Sequence, residues 1–364
     1  AHNIGNTVIL FLVVSIALTA ILLSLVHPIV VAMSTPTDAV SGTVTYLTIC
    51  FIGIPFITSY NIISSIFRGL GDSKSPMCFI ATACAANIAL DYLFMGVLHL
   101  GPAGAALGTT LSQAISVVVS LTVILKRRSI VLKKSDFKPC RAVMGKILGI
   151  GIPIAFQDGL IQVAFIIITI IANQRGLNDA AAVGIVEKMI SLFFLVPSSM
   201  LSTVSALGAQ NIGAGKPERA IQTLRYAVML AAGFGVLASI AIQFTAEGIV
   251  SLFTDPSTAD GAAVVRFGGQ YLRGYIFDCI FAGIHFSFSG FFCACRKSGL
   301  SFLHNILAIV LMRVPGVYVT SKLFPATLLP MGLATAAGSL LSVVICLIAF
   351  GVIRRKSTLV LVEE

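Results

Sequence analysis

The chain has 364 residues, 57% of them hydrophobic and only 10% charged, with a mean hydropathy of +1.01. Soluble domains carry about 25% charged residues, so this much apolar surface cannot be hidden in a water-soluble core, and the chain reads as an integral membrane protein. A net charge of +10 would suit a nucleic-acid binder, but the basic residues sit at the ends of apolar runs rather than in one patch, which excludes that reading.

Apolar runs of about 20 residues are long enough to cross a bilayer as helix. Their length and lack of period-2 alternation favour helices over a β-barrel. The first run, near 7–33, follows a start with no basic region and no small-residue cleavage site, so it is not a signal peptide. The second, 42–66, contains Pro55 and is followed by Arg68 and Lys74. The third, 77–98, includes ANIALDYLFMGVL, in which Asn87 and Asp91 stand at i and i+4 and share one helix face. The fourth, 103–125, runs into a basic connection at 126–146 that includes Lys126, Arg127, Arg128, Lys133, Lys134, Lys138, Arg141 and Lys146.

The fifth run, 147–172, carries Pro153 and the polar residues Gln157, Asp158 and Gln162. The sixth, 181–206, carries Glu187, Lys188 and Pro197, and is followed by Lys216, Arg219 and Arg225. Glu187 and Lys188 point about 100° apart on a helix and do not simply pair; Arg313 is the expected partner of Glu187. After the seventh run, 223–253, the eighth, 264–294, holds Arg273, Tyr275, Asp278 and His285, and is followed by Arg296 and Lys297. The ninth, 300–322, holds Arg313 and Pro315, and the tenth, 331–353, leads to Arg354, Arg355 and Lys356. Pro55, Pro153, Pro197 and Pro315 are expected kinks or hinges. The eight cysteines follow neither a disulfide nor a zinc spacing, Cys293 and Cys295 included.

Basic residues therefore follow every even-numbered run, while odd-numbered exits hold little beyond Arg175 and Lys322. By the positive-inside rule the even exits are cytoplasmic, as are both ends of this chain.

The sequence also repeats. YLTICFIGIPF from Tyr46 resembles YLRGYIFDCIF from Tyr271, SIFRGLGDSKS from Ser65 resembles SGFFCACRKSG from Ser289, and GPAGAALGTTLSQ from Gly101 resembles LPMGLATAAGSLLS from Leu329. These matches divide the chain into 1–125, the linker 126–146, and 147–364, four runs and then six. Projecting the repeat backwards gives the expectation that the first half lacks two helices.

FRGLGDSKSP (67–76), NIALDY (87–92), GPAGAALGTT (101–110), GIPIAFQ (151–157) and AQNIGAGKPERA (209–220) resemble the multidrug and toxic compound extrusion family, in order and spacing, across essentially the whole chain. The resemblance implies an all-α polytopic fold of twelve helices in two pseudo-symmetric lobes, of which about ten are present here. It also implies that a first-helix aspartate used for cation coupling in many members lies among the missing helices.

An ionisable residue within a membrane helix marks a functional site by default. An amide oxygen and a carboxylate are hard ligands suited to Na⁺, and a desolvated carboxylate also holds H⁺ readily. The resemblance implies that Asn87, Asp91 and a threonine, Thr109 or else Thr110, form the cation site of the first lobe. It likewise implies a coupling or substrate role in the second lobe for Asp278. By helix spacing Tyr275, one turn earlier, is placed to donate a hydrogen bond to it, and Gln157 and Asp158, near midplane on the fifth run, are further candidates for the second-lobe site. The competing reading of Asp278 is a salt bridge to Arg273 or Arg313, and His285 reads as a hydrogen-bonded interior histidine. A glutamate found on the fifth run in one branch of the family is replaced near that place by Gln162.

The expected protein is a monomeric, cation-coupled antiporter of a bacterial cytoplasmic membrane. Na⁺ or H⁺ would drive export of small organic compounds, cations among them, with no cofactor, no nucleic-acid partner and no enzymatic activity. A lipid-linked sugar flippase of the same superfamily would want a basic cavity for pyrophosphate, and the intramembrane acids argue against it. A non-transporting truncated product is the other alternative.

Overall fold

The structure is a computed structural model describing residues 2–32, 37–127 and 133–356. It divides into two compact units, 1–147 and 148–364. The first contains α1 (His2–Ser24), α2 (Val26–Ala32), α3 (Thr37–Ile52), α4 (Ile54–Gly69), α5 (Lys74–Asp91) and α6 (Gly101–Arg127). The boundary falls within α7 (Arg141–Asn173). The second unit continues with α8 (Leu177–Phe193), α9 (Leu195–Gly213), α10 (Pro217–Val250), α11 (Ala259–Tyr275), α12 (Asp278–Ala294), α13 (Ser298–Ala308), α14 (Val314–Leu323) and α15 (Leu329–Lys356). Among the described residues ten helical spans are long and apolar enough to cross a membrane.

Several spans are two helices joined by a one- or two-residue break. The break at Gly53 is set by Pro55, the second residue of α4, which cannot donate to the preceding turn. Pro197 is the third residue of α9, and Pro315 the second of α14. Pro153 instead lies inside α7, which runs on through it. The break at Ile276–Phe277, between α11 and α12, contains neither proline nor glycine. By the repeat it aligns with Phe51–Ile52, directly before Gly53, and it makes Asp278, which aligns with Gly53, the first residue of α12. Two spans also widen into π-helix, at Tyr92–Val97 directly after α5 and at Ile309–Arg313 directly after α13. Such turns are rare and frequent at functional sites.

In the first unit α6 packs against α3, α4 and α5, and α1 against α4. Asn6 of α1 is fully buried; its side chain donates to the Lys138 carbonyl (3.3 Å) and accepts from the Cys140 amide (2.7 Å). The start of α1 and the end of the basic connection therefore share one face. In the second unit α12 is central, against α9, α10, α13 and α15. Helices in lipid associate through close packing rather than hydrophobic transfer, which favours small residues at their contacts. A Cβ at Gly290 would stand 2.5 Å from the Leu201 carbonyl oxygen, so only glycine lets α12 approach α9 as it does.

Arg175, at the end of α7, holds Asp179 at 2.6 Å and donates to the carbonyls of Ser321 (2.6 Å), Phe324 (3.2 Å), Pro325 (2.9 Å) and Thr327 (3.4 Å). Asn178 donates to Asp260 at 3.2 Å. The α7–α8, α10–α11 and α14–α15 connections thus gather at one face of the second unit.

Candidate functional site

In the first unit the carboxylate of Asp91 ends α5 where the chain widens into the π segment. One oxygen, Oδ1, is buried without a hydrogen-bond partner, as is the Asn87 amide nitrogen one turn earlier. The residue of α6 that meets Asp91 is Gly108, whose missing side chain leaves the space that Asp91 Oδ1 occupies. Gly104, one turn earlier, receives Phe94 of the π segment in the same way. Glycines at this spacing let two membrane helices approach closely.

Thr110 is buried and turned towards the other neighbour: its hydroxyl donates to the Ile49 carbonyl at 3.3 Å, against Gly53 of the α3–α4 break. Thr109 is exposed. Tyr46 of α3, beside Cys50 and within electrostatic reach of Asp91, is a neighbour that sequence reasoning did not single out.

The second unit assembles a larger polar cluster. Asp278 is fully buried, and the Arg313 guanidinium donates through Nη2 to its Oδ2 at 3.2 Å and to the Tyr275 hydroxyl at 2.8 Å. This corrects the expected geometry: Tyr275 accepts from Arg313 instead of donating to Asp278, and the arginine bridges the two. Arg273 is no partner of Asp278; it pairs with Glu247 at 3.1 Å and donates to the Gln243 carbonyl at 3.2 Å. Arg313 ends the second π segment, its chain lies against Gly338 of α15, and its charge stands over Phe165 (5.4 Å) and Tyr275 (5.8 Å). A cation over an aromatic face is held by the ring quadrupole.

Glu187 accepts from the Thr169 hydroxyl at 3.3 Å and feels Arg313 only at longer range, while Lys188 is exposed. Glu187 Oε1, Asp278 Oδ1, Arg313 Nε and the Tyr271 hydroxyl are all buried without partners. One positive charge thus faces two carboxylates with unused hydrogen-bonding capacity, and Tyr271 and Thr169 join the cluster unannounced by the sequence.

Gln157 and Asp158 separate. Gln157 is fully buried and accepts from the Ser301 hydroxyl at 2.6 Å, whereas Asp158 is exposed on the next helix face. Among the described residues no group of three or more His, Cys, Asp or Glu could hold a metal ion.

A model of the MatE family matches residues 1–93 and 153–319. The chain belongs to the MatE family. It is similar to the probable multidrug resistance protein YpnP of Bacillus subtilis, 30% identical over 306 residues, which cover 84% of this chain and 66% of that protein. It also resembles the multidrug export protein MepA of Staphylococcus haemolyticus (25% identity; 87% of this chain, 69% of that one) and a FAD transporter of Shewanella oneidensis (26%; 74% and 60%). The chain spans about two thirds of the length of these curated relatives.

Among solved structures, MATE in complex with MaL6 and an outward-facing multidrug resistance MATE transporter each superpose with a TM-score of 0.89 at 20% identity. Each match covers 98% of this chain and 79% of MATE in the former case. The fold is therefore the MATE fold: all-α and polytopic in the membrane.

Proposed function

We propose that this protein couples the movement of Na⁺ or H⁺ to the export of small organic compounds across a bacterial cytoplasmic membrane. The observation that carries the reading is the Asp91 carboxylate, with an unpartnered buried oxygen, one turn from Asn87, set against Gly108 at the head of a π segment. An unsatisfied carboxylate oxygen in a membrane helix is costly, and a bound cation or proton removes that cost. Asn87 supplies a second oxygen once its amide is turned.

Coupling requires that the cation bind one conformational state more tightly than the other. The π segment beside Asp91 and the break at Gly53 are places where α3–α4 and α5 can change shape around the acid, and Thr110 ties α6 to that break. Thr109 serves the site only in a state that brings it round to Asp91. The likeness to the multidrug proteins YpnP and MepA supports multidrug export, and the likeness to a FAD transporter widens the range of cargo to be tested. The acidic residues of both units favour organic cations.

The test is transport by the full-length protein in proteoliposomes, with ethidium as probe and an imposed Na⁺ or pH gradient. Ethidium movement driven by one gradient identifies the coupling ion. No movement with either gradient refutes the proposal.

A further inference from the structure

Beyond the two acidic sites, the second unit contains a buried relay that leads away from Asp278. His304 of α13 is engaged at both ring nitrogens: Nε2 lies 2.9 Å from the Ser289 hydroxyl of α12, and Nδ1 lies 2.5 Å from the Ser342 hydroxyl of α15. All three residues are buried. Ser342 also lines a cavity of about 60 Å³, together with Ser339, Asn305, Arg313 and His285. Ser339 stands beside the Asp278 carboxylate, and His285, 5% exposed, has its Nδ1 without a partner. The His285 and His304 rings are 5.6 Å apart.

A single water needs roughly 10–15 Å³ of such space and two to four polar neighbours. The cavity offers both, several times over. A buried imidazole nitrogen without a hydrogen bond is costly, and a cavity water removes that cost. Along α12, Asp278, His285 and Ser289 descend roughly 10 and then 6 Å towards the basic end at Arg296 and Lys297, at about 1.5 Å per residue.

We propose that Ser289, His304, Ser342 and the water held against His285 form a proton path that serves Asp278. A proton delivered by the Ser289 hydroxyl to His304 Nε2 is matched by release of the Nδ1 proton to Ser342. The Ser342 hydroxyl passes its own proton to the cavity water, and the chain ends at His285 Nδ1 or, by way of the Ser339 hydroxyl that lines the same cavity, at Asp278. No bond other than O–H and N–H is made or broken: Ser342 regains its proton from His304 Nδ1, His304 from Ser289, and Ser289 from water entering at the basic end of α12.

The titratable or charged groups facing His285 are His304 from α13 and Arg313 from the π segment. Neighbouring α9 has no charged residue, α15 has them only at its basic end, and those of α10 lie in its first three turns and at Glu247. On α7, Gln157 is neutral and Asp158 exposed. The path deepens the coupling reading for the case of H⁺, and its test does not depend on transport.

The chain has five histidines, so imidazole ¹⁵N signals of the full-length protein in bilayers can be assigned with His285→Gln and His304→Gln. Solid-state NMR then follows exchange of each imidazole N–H with water. The expected result is rapid exchange at His285 and His304 despite their burial, slowed at least tenfold at His304 by Ser342→Ala and restored by Ser342→Thr, which keeps the hydroxyl. Slow exchange at both rings in the parent protein, or exchange at His304 indifferent to Ser342→Ala, would overturn the path. Ethidium movement that follows only a Na⁺ gradient would bear on the coupling ion, leaving this exchange result to decide the path.

Discussion

Asp91 occupies the space that a side chain at Gly108 would need. A methyl group there displaces the carboxylate or pushes α5 from α6, and overpacking of this kind costs typically 1–3 kcal/mol. Gly108→Ala should insert in the membrane but lose at least tenfold in gradient-driven ethidium transport, because the acid is turned from its position. Transport at the parent rate would show that the close approach serves packing alone.

The buried pair of Asp278 and Arg313 should behave asymmetrically on mutation. Removing one partner leaves an uncompensated buried charge, at a cost of about 3–5 kcal/mol, whereas replacing both by apolar residues of similar size is often neutral. Asp278→Leu and Arg313→Met alone should each lower the thermal unfolding temperature in detergent by several degrees, and the double variant should recover most of the loss. A double variant no more stable than the worse single one would mean that the pair is not the stabilising unit.

Arg175 gathers one carboxylate and four carbonyl oxygens from the α14–α15 connection. Hydrogen bonds to charged groups are worth about 1.5–3 kcal/mol each and are not additive, and a lysine cannot reproduce the planar fork. Both Arg175→Ala and Arg175→Lys should therefore destabilise the protein by roughly 3 kcal/mol, measured by denaturation in detergent. Lysine at the parent stability would contradict the clamp.

Topology is tested by reporter fusions. The Asn6 contacts put the start of α1 on the face of the basic connection, and the positive-inside rule makes that face cytoplasmic. A fusion after Lys134 should read cytoplasmic and one near Asp260 external. The reverse pattern would invert the orientation.

Much of the fold was legible in the sequence because apolar length and basic flanks are one-dimensional signals; all ten spans follow from them. The break at Gly53 was foreshadowed by Pro55. The break at Ile276–Phe277 was not, since no residue there forbids a helix, and only the repeat, which aligns Asp278 with Gly53, hinted at it. A π turn has no compositional mark, so neither π segment was visible.

At the sites, Asn87 and Asp91 could be picked out by charge and spacing on one helix. Partners across helices came only as alternatives: of Arg273 and Arg313, both offered for Asp278, it is Arg313, 35 residues away, that holds it. Spacing located the turn of α6 that meets Asp91 but not its rotation, which brings Gly108 rather than Thr109 to the acid. The Gly104 and Gly108 pair carried that information as a close-approach pattern. His304 drew no notice because its serine partners lie on two other helices.

The central claim is that Asp91 carries the charge change linking cation to cargo. Asp91→Asn keeps the volume and the hydrogen-bonding capacity of the side chain but cannot titrate and is a weaker cation ligand, so yield and thermal stability should stay near those of the parent. In proteoliposomes of the full-length protein with an imposed Na⁺ or pH gradient, the account predicts that this variant loses gradient-driven ethidium transport, with Asn87→Ala losing less because the carboxylate remains. Gradient-driven transport by Asp91→Asn at the parent rate would contradict the account.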